Sequence, residues 1–120
     1  MKIALIALLL LTGCAHRPFE DWSKADTARE VAWQALHIID WGQTLDIADN
    51  PDRFHELNPL LGKHPSRGQV NRLFVAGAVA HPIAMGMFRP PYRAWLQYVS
   101  LGITGVVVTR NYHIGLRWGF

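Results

Sequence analysis

Two apolar runs, held apart by consecutive prolines, constrain this chain more than any other feature. Leu73 to Phe88 is apolar apart from His81, and Ala94 to Val108 is broken only by Gln97, Ser100 and Thr104. Between them stands Arg89-Pro90-Pro91-Tyr92-Arg93, where two adjacent residues lack amide donors and force a turn. Runs that are hydrophobic nearly all round belong inside protein or in lipid. Each is about 15 or 16 residues long, below the ~20 that span a bilayer but extendable by flanking residues. The pattern predicts a helical hairpin, with one helix running to about Phe88 and the next from about Tyr92 to Thr109.

An earlier helix is predicted from Ser23 or Lys24 to about Ala48. Ser23 and Asp26 have the spacing of a capping pair, and Asn50-Pro51 stops the helix. A loop rich in Pro, Gly, Asn and His follows over 51–65. Ser66-Arg67-Gly68-Gln69 then has capping-box spacing and opens the second helix. The expected fold is all-α, three helices in up-down-up order forming one domain over residues 23–120.

Ala76, Ala80 and Ala84, then Ser100, Gly102, Thr104 and Gly105, recur at helix-packing intervals. Such spacing suits a membrane hairpin and a tightly packed periplasmic core about equally. The expectation leans narrowly to transmembrane helices, with residues 70–88 and 92–109 in contact with lipid. The first helix mixes Val31, Ile38 and Ile39 with Gln34, His37, Asp40 and Asp46. An aspartate at a bilayer centre costs about 2.5–3.5 kcal/mol on insertion scales, so this helix is expected on the surface or packed on the other two.

The N-terminus carries an address. Lys2 precedes an apolar stretch from Ile3 to Leu11, followed by Leu11-Thr12-Gly13-Cys14 and the polar Ala15-His16-Arg17-Pro18. This order resembles a bacterial lipoprotein signal, whose lipobox places small residues before a cysteine that is acylated on sulfur. The resemblance implies a cleaved signal peptide over 1–13, lipidation of Cys14, and a tether over 14–22. Ala15 after the cysteine, rather than aspartate, implies the outer membrane rather than the inner if the host is Gram-negative. Two or three acyl chains, at roughly 0.8 kcal/mol per buried CH₂, make a stable anchor. Cys14 is the single cysteine, so no intramolecular disulfide can form. The net charge of +3 is spread along the chain without basic runs, which argues against a nucleic-acid partner.

Chemistry-bearing residues gather in three places. Trp33, His37, Asp40 and Thr44 fall at intervals of four, three and four, on one face of the first helix. The loop holds His55-Glu56-Leu57-Asn58-Pro59, and His81-Pro82 and His113 lie further on. Together His37, Asp40, Thr44, Glu56, Asn58, His81 and His113 form a candidate polar cluster. Asp40-x-x-x-Thr44 followed by Glu56-x-Asn58-Pro59-x-x-Gly62 resembles a signature of small bacterial and phage-associated membrane proteins of no established activity. The resemblance covers about residues 36–110 and implies a membrane-helical fold, with a prophage-encoded envelope modifier as one subtype.

In the favoured reading the cluster is structural, with Asp40 and Thr44 bonded to the Glu56–Gly62 turn. A metal site and acid/base hydrolysis are the competing readings. His55-Glu56 lacks a second histidine four residues on, so the metalloprotease pattern is absent, as are phosphate-binding and dinucleotide loops. No cofactor or metal is expected. The C-terminal alternation of Tyr112, Ile114, Leu116, Trp118 and Phe120 with polar or small residues predicts an amphipathic tail, or one strand at the lipid interface. The resulting expectation is a membrane-anchored envelope lipoprotein of structural or interaction type, with an envelope protein as a candidate partner. The alternative is a small metal-dependent or acid/base hydrolase using His37, Asp40, Glu56 and His81. Cys14→Ala is expected to abolish acylation and leave uncleaved precursor; a normally processed mature chain on an immunoblot would contradict the lipoprotein reading.

Overall fold

The structure is a computed structural model that describes residues 17–120; the signal segment and Cys14 lie outside the described residues. Among the described residues three helices make up the fold: α1 (Lys24–Asp49), α2 (Arg67–Gly86) and α3 (Pro90–His113). Both predicted capping boxes form. The Ser23 hydroxyl accepts from the Asp26 amide at 3.1 Å while Ser23 donates its own amide to Asp26 Oδ2 at 2.8 Å. Ser66 and Gln69 repeat the exchange at 3.2 and 2.9 Å.

The third helix is longer at both ends than the sequence pattern predicts. Pro90 starts it, because proline at the first helical position loses no helical hydrogen bond and has a suitable φ. At the far end Gly115 takes φ 97°, its amide bonds the Tyr112 carbonyl at 3.1 Å, and Leu116 bonds the Asn111 carbonyl at 3.0 Å. That pair of bonds is a Schellman close, with Leu116 fully buried beneath it.

Helix α1 is the axis of the fold. Arg29 reaches Gln97 near its start and Gln43 reaches the Val108 carbonyl near its end, so α1 and α3 run parallel. Gln34 bonds the Ala78 carbonyl and Trp41 bonds Asn71, so α2 runs antiparallel to α1. The two hairpin helices pack mainly on α1 and touch each other little. This is the up-down-up all-α bundle. A small apolar core of Leu45, Leu61, Val70 and Phe74 sits towards the C-terminal half of α1, under the loop.

Two expectations are corrected. Among the described residues no helix is long and apolar enough to cross a membrane, which overturns the transmembrane assignment of the hairpin. The physical reason lies in the flanks of the apolar runs: extending the run of α2 backward brings in Arg67, Asn71 and Arg72, and extending that of α3 brings in Arg93 at one end and Arg110 and Asn111 at the other. The C-terminal tail, for its part, forms no strand. It turns back along α1, where Gly119 donates to the Gly42 carbonyl at 2.9 Å and Arg117 donates its amide to Asp46 at 2.8 Å. A side chain at Gly119 would meet the Leu45–Asp46 backbone at 2.5 Å, so only glycine fits there.

The segment before α1, expected as a tether, is fastened where it is described. Arg93 is fully buried and donates to Asp26, to the carbonyls of Glu20 and Asp21, and to the carbonyl of Met85. Its guanidinium also lies 4.9 Å from the Trp22 ring centre. Phe19 donates its amide to the Gly86 carbonyl at 2.7 Å, and its ring fills the space where a Gly86 side chain would stand. Breaking a buried ion pair on one side leaves the other charge uncompensated, at about 3–5 kcal/mol. Arg93→Ala is expected to lose stability in that range in denaturant unfolding, and a loss below about 1 kcal/mol would remove Arg93 from its central role.

Candidate functional site

The inner face of α1 is polar along most of its length. Asp26, Glu30, Trp33, His37, Asp40 and Thr44 recur every three or four residues, which brings them into line along the helix axis. Each is matched by a group on a neighbouring helix or on its own helix. The His81 ring nitrogen Nδ1 lies 2.9 and 3.0 Å from the two Glu30 oxygens. Gln34 donates to Glu30, and the Trp33 indole donates to Thr104 at 3.1 Å. His81 stacks on Trp33 with ring centres 3.6 Å apart, and His37 stacks on the same indole at 4.6 Å. His37 Nε2 pairs with the Phe74 carbonyl at 2.8 Å, and burial holds its pKa below the usual histidine value. Gly77 makes room for this ring, since a Cβ there would lie 3.0 Å from His37.

Beyond the aromatic column opens a cavity of about 360 Å³. Its polar lining is Asp40, Thr44, Glu56, Asn58, Arg110 and Asn111, and Leu57, Leu61, Phe74 and Val107 are among its apolar walls. The loop shapes one side. Glu56 Oε1 accepts from the amides of Leu57 and Asn58, both at 2.8 Å, and Asn58 Oδ1 accepts from Leu60 at 3.0 Å. Gly62 at φ 75° completes the turn, and Leu61 roots it in the apolar core. The Glu-x-Asn-Pro-x-x-Gly segment is therefore a self-capped turn that presents Glu56 to the cavity.

Asp40 faces it from α1. Burial first, and then the negative charge of Glu56, push its pKa up to about 6, with the Thr44 hydroxyl acting in the opposite direction. Asn111 donates to Asp40 Oδ1 at 3.3 Å, while the Thr44 hydroxyl turns back to the Asp40 carbonyl at 2.8 Å. The bonds expected from Asp40 and Thr44 to the turn are thus replaced by bonds to α3 and to α1 itself. No match to this chain is found among protein-family models, curated proteins or solved structures.

Asp40, Thr44, Glu56 and Asn58 meet at the cavity, while His37 and His81 belong to the neighbouring column. His113 is exposed near the end of α3, its ring 6.2 Å from that of Tyr112, and it does not line the cavity. Cys14 lies outside the described residues. Among those residues no three His, Cys, Asp or Glu side chains gather in a way that could hold a metal ion. Two contributors escape the sequence pattern. Glu30 could have been found by extending the four-three-four spacing backward from Trp33. Arg110 had no such signal, because it lies one residue past the predicted end of α3.

Chemically, two carboxylates in one cavity can share a proton or receive a cation. Asp40 is ionised less readily in the folded chain than in the unfolded one, so its contribution to stability is full below about pH 3.8 and is lost as pH rises through about 6. Asp40→Asn mimics the protonated form. It is expected to match wild type near pH 3 and to exceed it by about 2–3 kcal/mol at pH 7.5. Unfolding curves at the two pH values check this, and a variant less stable than wild type at pH 7.5 would contradict it.

Proposed function

We propose that this chain is a lipid-anchored bacterial envelope protein of structural or interaction type, whose outer apolar faces lie along lipid. The observation that carries this reading is that charged and polar side chains are buried between the helices while large apolar ones stay at the surface. Arg93 and Gln97 are fully buried and Asp26 is nearly so, whereas Val79, Ile83, Trp95, Ile103 and Val106 are between 51% and 70% exposed. A water-soluble bundle arranges these classes the other way, and large exposed apolar patches mark interaction surfaces. Each 100 Å² of apolar surface removed from water contributes roughly 2.5 kcal/mol, so lipid contact along two helices favours association strongly.

The arrangement needs no crossing helix: the bundle lies along one leaflet. An acyl chain on Cys14 would sit three residues before Arg17, where the described chain begins and leads into the segment held by Arg93. That short link would keep the bundle at the leaflet that receives the anchor. Ala15 favours the outer membrane in a Gram-negative host, and the likeness of the Asp40–Gly62 spacing to phage-associated membrane proteins favours a prophage-encoded envelope modifier as the subtype.

Flotation tests the lipid-facing surface apart from the anchor. The Cys14→Ala chain, exported with an ordinary cleavable signal, is expected to float with phosphatidylcholine vesicles. A variant that also carries Val79→Ser, Ile83→Ser, Ile103→Ser and Val106→Ser should remain in solution with its helical circular dichroism unchanged. Recovery of the unacylated parent in the soluble fraction would refute the lipid-facing surface.

A further inference from the structure

We propose that the cavity between Asp40, Glu56 and Arg110 binds a phosphoethanolamine unit, its ammonium held between the two carboxylates and its phosphate held by the arginine. The volume of about 360 Å³ lies within the ~300–1,000 Å³ of small-molecule sites and leaves space for the headgroup. Groups of both signs line the cavity. Asp40 comes from α1 and Glu56 from the loop, close enough for one charge to act on the other, and no cation is among the groups that shift Asp40. Two carboxylates against one guanidinium leave the lining with groups of both signs and an excess of negative charge, a receptor for a ligand that carries an ammonium beside an anionic group.

The class of the positive group follows from the lining. A divalent ion lacks a third carboxylate or imidazole ligand here. A primary ammonium instead offers three directed N–H donors, which two carboxylates and the neighbouring Thr44 or Asn58 oxygens can accept. Arg110, exposed on the last turn of α3, adds the planar fork that binds phosphate oxygens in pairs. Leu57 and Val107 are exposed apolar neighbours at the same cavity, placed to meet the carbon chain that continues from a phosphodiester. A trimethylated ammonium has no N–H to give, so the site discriminates against choline.

This chemistry has two sources, a phosphatidylethanolamine headgroup or a soluble phosphoethanolamine. The lipid source rests on the membrane reading above, whereas the cavity does not. Full-length protein in neutral detergent, titrated calorimetrically, is expected to bind phosphoethanolamine at least tenfold more tightly than phosphocholine. Asp40→Asn and Glu56→Gln should each weaken it at least tenfold. Arg110→Gln should weaken phosphoethanolamine and leave ethanolamine unchanged. Flotation on phosphatidylcholine vesicles with and without phosphatidylethanolamine then assigns the source. Added affinity that Glu56→Gln abolishes identifies the lipid headgroup, and titration without that added affinity identifies the soluble compound. Flotation on phosphatidylcholine alone reports membrane contact independently, so the two readings fail separately. Equal binding of phosphocholine, undiminished binding by the Glu56→Gln and Arg110→Gln chains with intact helical dichroism, or no binding in either format would overturn the proposal.

Discussion

The guanidinium of Arg93 is the contact on which the remaining architecture depends. It is fully buried and joins the segment before α1, the first turn of α1, the last turn of α2 and the first turn of α3. Asp26 supplies the counter-charge and is itself held by the Ser23 cap and by Arg29. Burial pushes the Asp26 pKa up, yet the Ser23 amide, the Ser23 hydroxyl and Arg93 outweigh it and hold the carboxyl below its usual value. A helix cap and an interhelical ion pair thus share one carboxylate, and local helix initiation is coupled to assembly of the bundle. Such a pair contributes little beyond an apolar alternative in net stability, but it penalises any other arrangement of its partners.

From that end the polar face of α1 continues as a series of pairings that fix the positions of both other helices. Glu30 with His81, Trp33 with Thr104, Gln43 with Val108 and Asp40 with Asn111 each join residues more than fifty positions apart in the chain. Hydrogen bonds in a low-dielectric interior are electrostatically stronger and more directional than apolar packing. They define a register that small alanine and glycine contacts would leave free to slide. The apolar residues displaced from the interior face outward, and this links the interior chemistry to the proposed lipid surface.

Helix number, order and both N-terminal caps were legible in the sequence because they rest on local signals: serine three residues before an acceptor, and proline after asparagine. The ends of α3 were not, since Pro90 opens a helix it was read as breaking and the Schellman close depends on a left-handed glycine beyond the apolar run. Apolar runs were read as candidates for crossing a membrane because hydropathy does not distinguish an outward face from a continuous span. Within the site, Asp40, Thr44, Glu56 and Asn58 were visible as a spacing. Their relation to Arg110 and Asn111 depends on α3 continuing past Thr109 and packing on α1 there, a long-range fact with no local mark.

Asp26 and Asp40 stand on one face of one helix, fourteen residues apart, and the protein treats them in opposite ways. Around Asp26 the chain collects an arginine, a serine cap and a second arginine, and the carboxyl ionises readily. Around Asp40 it places another carboxylate, an amide and an open volume, and ionisation is resisted. A residue kept only to hold helices together is best served by the first environment, since an uncompensated buried charge weakens the fold. The second environment costs stability, and perturbed carboxyls in clefts cluster at functional sites. The polar spine of α1 therefore divides into a structural half that begins at Arg93 and a half, ending at the cavity, whose chemistry is left open to a ligand.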